Sequence, residues 1–329
     1  MLGSLLLPLA VVGTATVAYL SYAVVDFLAL HFLLPSRPLE AYKRRGPGPT
    51  YALVTGGSAG IGLGVAQELL RQGFAVVLLA HLEEELVETK QMLRRLVPGA
   101  EVRTVVVDAR TATAAELDDV VRSLEGLDVS MLVNNVGGCA VALPPLRPVS
   151  TYSTSDVDVV VDQNARFMAR LTALMLPLLS RRRRGDADER SLILNMSSAG
   201  GVGVPYLAVY GATKAFNLAF SRGVARELDA SPSTSHVDCL AIVPGDVLSQ
   251  GNSKGVSSLA PRWDDYGRCL VGTVDGAIRR GMRDLSPYWL HDLEQRILPW
   301  LDEGTRTREV TKAMEVKKRA WDAHLDKTR

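Results

Sequence analysis

Tyr210 and Lys214 stand four positions apart in "VYGATKAF" (209–216), with only Gly, Ala and Thr between them. On a helix, positions i and i+4 share a face, so both side chains can address one spot. One reading is a packed tyrosine ring with a lysine snorkelling past it. The other is a phenol whose proton is made available by a neighbouring ammonium. An unperturbed phenol has a pKa of about 10, and an adjacent positive charge favours the phenolate. A proton donor works best with a pKa near ambient pH. The pair alone does not choose between these readings.

A second stretch narrows the choice. In "TGGSAGIG" (55–62), Gly56, Gly60 and Gly62 permit a tight turn and close approach of backbone to a pyrophosphate seated on a helix N-terminus. The spacing TGxxxGxG differs from the GxGxxG of ordinary dinucleotide domains. Together with "NNVG" (134–137) and the Tyr210–Lys214 pair, in this order, it resembles the short-chain dehydrogenase/reductase family over roughly residues 50–250.

The resemblance implies a role for each matching residue. Tyr210 is the expected general acid toward a substrate carbonyl oxygen, and Lys214 lowers its pKa and holds the nicotinamide ribose. A serine at the end of the fifth strand stabilises charge on that oxygen. Counting back thirteen residues from Tyr210 gives Ser197, whereas anchoring on the strand pattern "N-x-S-S" gives Ser198. Strand registers resist shifts that loops absorb, which favours Ser198. Asn164, in "DQNARF", matches the asparagine that holds a water in a proton relay to the lysine. Gly56, Ser58, Gly60, Ile61 and Gly62 are expected to cradle the cofactor, and Asp108 to meet the adenine amine. Asn135 and Gly137 line the adenosine ribose, while Asn134 braces the sheet. The Val247 backbone is placed for the nicotinamide amide, and Ser249 stands where the family usually has threonine.

The implied cofactor is NADP(H), with NAD(H) as the alternative. NAD selection places an acidic side chain at the end of the second strand. Here that place reads "LLAHLEEE", with Ala80 and His81 at the turn. The family's NADP-selective arginine is missing, and His81 is the donor left for a 2′-phosphate. The rival class, a catalytically silent binding or scaffold protein on the same fold, is disfavoured because Ser, Tyr, Lys and Asn are all present. The sequence contains no metal-ligand spacing, and its three cysteines, Cys139, Cys239 and Cys269, read as small hydrophobes.

The elements that must position these residues follow from the apolar pattern. Short β-rich runs at 51–57, 74–80, 102–108, 129–135, 191–198 and 236–245 alternate with helical stretches. The helices are expected over about 60–72, up to 96, over 114–126, and over roughly 156–179 with an interruption near Pro177. The Tyr210–Lys214 helix follows the fifth strand. Uncharged strands with helical crossovers predict an α/β domain with a doubly wound parallel sheet, whose ligand lies at the carboxyl ends of the strands. "RRRR" (181–184) falls in a connection and reads as a solvated loop.

Charge bounds the partners. With Lys+Arg 37 against Asp+Glu 36, the chain of 329 residues offers no reason for a nucleic-acid partner. From Leu2 to Val25 there is no charged side chain, which is long enough for a bilayer-spanning helix. Basic residues follow it at Arg37, Lys43, Arg44 and Arg45, which predicts a cytosolic catalytic domain on a single-pass anchor. The expected organisation is an anchor (1–36), a linker (37–49), a dinucleotide-binding catalytic domain (50–287) and a charged helical tail (288–329). Within the family, the anchor, "NNVG" and "LNMSS" most resemble membrane-anchored 3-ketoacyl-CoA reductases and their 17-beta-hydroxysteroid dehydrogenase relatives. That resemblance implies a lipophilic ketone substrate, an endoplasmic-reticulum membrane and room for a homodimer. The stretch after Gly251 departs from the pattern.

Overall fold

The uncharged runs that read as strands are buried along their whole length where the sheet is deepest. β1 (Thr50–Thr55), β2 (Ala75–Ala80) and β5 (Ser191–Met196) have every residue buried in the computed structural model, which describes residues 2–33, 38–139, 144–181 and 188–328. With β3 (Val102–Val106), β4 (Asp128–Asn134), β6 (Val237–Ile242) and β7 (Asp284–Leu285) they form a seven-stranded sheet in the order β3-β2-β1-β4-β5-β6-β7. All six pairings are parallel. The order reverses between β1 and β4, and the crevice for a ligand lies outside the carboxyl ends at that switch point.

Helices cover both faces and divide the core into two apolar clusters. One face carries α2 (Gly60–Arg71), α3 (Glu83–Leu96) and α8 (Trp263–Arg279). The other carries α4 (Ala114–Leu124), α5 (Thr154–Val161), α6 (Phe167–Leu179) and α7 (Ala208–Ala230). α2 and α8 cross at glycines: a Cβ on Gly267 would fall 2.3 Å from the Gly64 carbonyl carbon. Bare backbones are what let these two helices touch.

Several expectations are corrected. The helix expected over 156–179 begins at Thr154, capped by Ser153, and runs through Pro177 to Leu179. A proline in the last turn forfeits little, because few intrahelical bonds remain there. The break lies earlier, in a π turn at Asp162–Arg166, where the Phe167 N–H reaches back five residues to Asp162. The seventh strand and α8 were not anticipated, since β7 is only two residues long and pairs at the sheet edge. Cys239 is buried, but Cys139 and Cys269 are only partly so. Arg182–Arg184 of the tetra-arginine run lie outside the described residues.

The anchor helix α1 (Leu2–Leu28) continues into a π turn at Ala29–Leu33. Leu7–Leu33 is long and apolar enough to cross a membrane. Its last turns are docked on the domain: Leu30 is buried in one of the two core clusters, and Asp26 pairs with Arg280. The segment expected as a linker also packs down. Leu39 and Tyr42 are buried, Tyr42 Oη donates to Asp238 (2.8 Å), and Arg44 donates to Ser191 Oγ (2.6 Å). α9 (Trp289–Ile297) and α10 (Glu303–Thr328) close the chain.

Candidate active site

Tyr210 and Lys214 sit in the first two turns of α7, whose N-terminal part lies against the carboxyl end of β5. Lys214 is 3 % exposed, and its ammonium donates to the Met196 carbonyl at 3.0 Å. The Asn217 amide donates to that same carbonyl at 3.0 Å. Lys214 Nζ stands 5.7 Å from the Tyr210 ring centroid, so the two side chains share one face. Burial pushes the Lys214 ammonium down to about 8. Burial also pushes the Tyr210 phenol up to about 12, against a hydrogen bond with Ser198 that acts the other way. The lowering of the phenol expected from the lysine is not what this structure shows: burial is the largest cause and raises it, because desolvating a phenolate is costly.

The two candidate serines point in different directions. Ser197 Oγ is buried and donates to the Lys214 backbone carbonyl at 2.6 Å, which commits it to fastening α7 on β5. Ser198 Oγ accepts the Gly200 N–H at 3.1 Å, and a Cβ on Gly200 would fall 3.4 Å from Ser198 Oγ and 3.6 Å from the Tyr210 ring, so this hydroxyl stands on the tyrosine's side. Consecutive residues of an extended chain face opposite sides, so only one of the pair can line the cleft.

Asn164 belongs to the π turn and is completely buried. Its Nδ2 donates to the carbonyls of Gly138 (2.8 Å) and Val160 (2.9 Å), and its Oδ1 accepts the Gly138 N–H at 2.9 Å. The side chain thus clamps the loop after β4. The consequence shows at Gly137, where a Cβ would fall 2.7 Å from Asn164 Oδ1 and 2.8 Å from Lys214 Nζ. Asn164, Gly137 and Lys214 form one packed unit. π turns recur at functional sites because they re-aim side chains within an otherwise regular helix.

The glycine-rich turn has the form a cofactor backbone needs. Gly56 and Gly60 have φ of +62° and +56°, and a Cβ on Gly62 would fall 2.3 Å from the Gly56 carbonyl oxygen. Asn135 braces this turn: its Nδ2 donates to the carbonyls of Thr55 (3.1 Å) and Gly56 (3.2 Å). Its amide nitrogen is thereby tied to the turn. Asn134 donates to Thr172 (2.9 Å) and Asn195 (2.8 Å), tying β4 to α6 and β5. Ile61 packs against the core beneath the turn, and Ser58 Oγ donates to Glu85 at 3.0 Å. His81 is exposed at the end of β2. Asp108 is held bidentately by Arg110, whose guanidinium keeps the carboxyl below its ordinary range.

The loop after β6 closes the other side of the cleft. Val247 is buried, its carbonyl accepting from Asn252 at 2.9 Å, and Ser249 lies beside Gly60. Sequence reasoning missed three residues here. Gln250 Oε1 accepts the Gly60 N–H at 3.1 Å, over the α2 N-terminus. His291 Nδ1 accepts the Gly245 N–H (3.2 Å), while its Nε2 donates to the Asp246 carbonyl (3.1 Å). Burial pushes His291 down to about 4, so it stays neutral and can accept and donate at once. Lys317, from α10, reaches Asp246 (2.7 Å) and Asn252 (2.9 Å). α10 lies so close that a Cβ on Gly255 would fall 2.8 Å from the Lys317 Cα. None of these three stands in a recognisable local motif; only the fold brings them to the loop.

The sequence profile of short chain dehydrogenases matches residues 50–258, well over half of the chain. The chain belongs to the short chain dehydrogenase family. It is an NAD(P)-dependent dehydrogenase/reductase of that family. It is 30 % identical over 290 residues to a very-long-chain 3-oxoacyl-CoA reductase of Pyrenophora tritici-repentis, covering 86 % of this chain and 80 % of that protein. A reductase of the same description from Pyricularia oryzae is 27 % identical over 292 residues, covering 87 % and 82 %. Among solved structures, a short-chain dehydrogenase from Sphingobium yanoikuyae in complex with NADPH superposes with a TM-score of 0.59. It is 23 % identical, over 78 % of this chain and 97 % of that one, a likeness of fold. Residues 50–258 of this dehydrogenase stop short of α9 and α10, so His291 and Lys317 lie beyond the family profile.

Proposed function

We propose that this dehydrogenase is a membrane-anchored, NADPH-dependent reductase of long-chain 3-oxoacyl-CoA thioesters, with Ser198, Tyr210 and Lys214 as its catalytic residues. The observation that carries the reading is that Ser198 Oγ and the Tyr210 ring flank one point beside Gly200 at the carboxyl end of β5, with the buried Lys214 ammonium 5.7 Å from that ring's centroid. The cradle fits a nicotinamide dinucleotide: positive-φ glycines at the α2 N-terminus, a space at Gly62 that no side chain can share, and His81 at the ribose end. Bound there, a reduced nicotinamide would supply the hydride that the ketone carbon takes up.

The protein's own residues do the rest. Ser198 donates a hydrogen bond to the ketone oxygen, where negative charge develops. Tyr210 keeps its proton at neutral pH, being held up to about 12, and gives it to that oxygen. Lys214, oriented by the Met196 carbonyl, presents positive charge beside the phenolate that remains. Asn164 and Gly137 hold the wall against which Lys214 packs. The product is the 3-hydroxyacyl thioester.

The lipid substrate is supported by the activity of the 3-oxoacyl-CoA reductases that the chain resembles and by the position of the anchor. His291 on α9 grips the loop after β6, and the next residue, Asp292, grips His31 at the foot of the anchor (2.9 Å). The cleft therefore opens about one helix diameter, roughly 10 Å, from the membrane-spanning helix. The basic residues after the anchor favour a cytosolic domain, on the endoplasmic-reticulum membrane. The organisation we propose is an anchor docked on a catalytic domain, with α9 and α10 completing the cleft.

The test is NADPH oxidation by the full chain in nanodiscs with 3-oxoacyl-CoA substrates of increasing length. Each buried methylene is worth about 0.8 kcal/mol, so kcat/KM should rise up to about fourfold per methylene until the chain fills its site. A flat profile would remove the long-chain substrate, and better turnover of steroid ketones would replace it. Faster turnover with NADH than NADPH would overturn the cofactor assignment.

A further inference from the structure

α9 runs antiparallel to the last turns of the anchor. Trp289 meets Phe32 with ring centroids 6.1 Å apart, Asp292 pairs with His31 at 2.9 Å, and Arg296 pairs with Asp26 at 3.5 Å. The Arg296 guanidinium also lies over the Phe27 ring, 5.6 Å from its centroid. As α9 advances from 289 to 296, its partners on the anchor step back from 32 to 26. The helical backbone does not stop there: it continues through a 3₁₀ turn at Leu298–Trp300. Continuing the same pairing places Trp300 level with about residue 22 of the anchor, roughly 6–8 Å beyond Arg296 toward the membrane.

The residues at that level are apolar and uncovered. Trp300 is 75 % exposed and Ile297 50 %, while Tyr22 on the anchor is 68 % exposed. Of the charged groups between α9 and the anchor, Asp26, Arg280, Arg296, His31 and Asp292 lie at or below the level of Arg296 and are paired with one another or with the backbone, while the exposed Asp302 and Glu303 follow the turn at the start of α10, bonded locally to Thr305 and Arg306. About 20 apolar residues span a bilayer core, and the stretch from Leu2 to Tyr22 supplies that length before the first charge at Asp26. Tyr22 then falls at the boundary between hydrocarbon and headgroups, where tryptophan and tyrosine concentrate because one end of each ring is apolar and the other polar.

We propose that Ile297–Trp300 is a second membrane contact, seated in the headgroup layer of the leaflet beneath which the domain is held. This rests on the reading of α1 as a membrane anchor. The occupant is a lipid surface, because the exposed patch is continuous with the apolar anchor and points along it. A second contact beside a spanning helix stops the domain swinging about its tether. It would hold α9, and through His291 the loop after β6, at a constant height above the bilayer.

The experiment uses the full chain in nanodiscs whose phosphatidylcholine is brominated near the headgroup or deep in the acyl chain. Trp263, Trp289 and Trp321 are common to wild type and Trp300→Phe, so the difference spectrum reports Trp300. We expect that component to lose most of its intensity with shallow bromine, less with deep bromine, and little with aqueous iodide. A component quenched by iodide and not by bromine would put the turn in water and overturn the proposal. One shielded from both would mean a protein partner covers it, and would equally overturn it. Val12→Trp, at mid-anchor, separates the two readings. If it is quenched by deep bromine while Trp300 is not, only this inference fails; if it is not quenched, the anchor reading falls and takes this one with it.

Discussion

Lys214→Met should make the cofactor-free protein more stable at neutral pH while destroying its activity. The ammonium is buried, and its pKa falls from the ordinary 10.5 to about 8. At about 1.36 kcal/mol per unit, that depression corresponds to roughly 3 kcal/mol of destabilisation at pH 7. The charged lysine recovers part of this through its bond to the Met196 carbonyl, of order 1 kcal/mol. That carbonyl still accepts from Asn217 when the lysine is gone, so no orphaned acceptor is left. Methionine fills the same unbranched volume. The net expected gain is about 2 kcal/mol, a rise of about 3 °C in Tm for a chain of this size. The sign with pH follows from linkage. Between pH 8 and 10.5 the unfolded lysine holds a proton that the folded one has lost, so wild-type stability rises with pH across that window. The advantage of Lys214→Met should therefore be full below pH 8 and fade toward pH 10.5. Thermal unfolding of both proteins at pH 7 and pH 10, in one detergent and without cofactor, measures it. A variant less stable at pH 7, by a margin that does not change at pH 10, would refute the buried-charge reasoning.

Tyr210→Phe should reduce turnover by about 10²–10⁴-fold with little change in NADPH affinity, read by fluorescence titration beside initial rates. Ser198→Ala should lower kcat by about 10²–10³. Ser197→Ala should instead lower thermal stability, because its hydroxyl fastens α7 to β5; the reverse pattern would exchange the two roles. Gly62→Ala should abolish cofactor binding or folding, since its methyl would sit 2.3 Å from the Gly56 carbonyl oxygen, and calorimetric titration with NADPH reads this directly. His291→Phe should raise the KM for NADPH more than it lowers kcat, because the Gly245 N–H and Asp246 carbonyl lose their brace; equal loss in both constants would mean a different role.

Much of the site was legible in the chain because its chemistry is written at short range. A helix repeats every 3.6 residues, so Tyr210 and Lys214 had to share a face wherever α7 lay. Glycines at positions of positive φ mark the turn at 56–62 without any knowledge of its surroundings, and uncharged runs mark strands buried on both faces. Contacts between distant segments decided the rest. Ser197 and Ser198 are indistinguishable by type. They are separated by which one the Lys214 carbonyl captures, a matter of how α7 lies on β5. Asn135 bends back to the glycine turn because β1 and β4 are neighbours in the sheet, although about eighty residues apart in sequence. The Tyr210 phenol is raised rather than lowered because burial, a property of the whole fold that spacing does not reveal, is the largest cause acting on it. The docking of Asp26 on Arg280 and Arg296 closes more than two hundred and fifty residues of chain. Nothing local in the sequence encodes such a pair, because each of its members is an ordinary charged residue until the fold places its partner beside it.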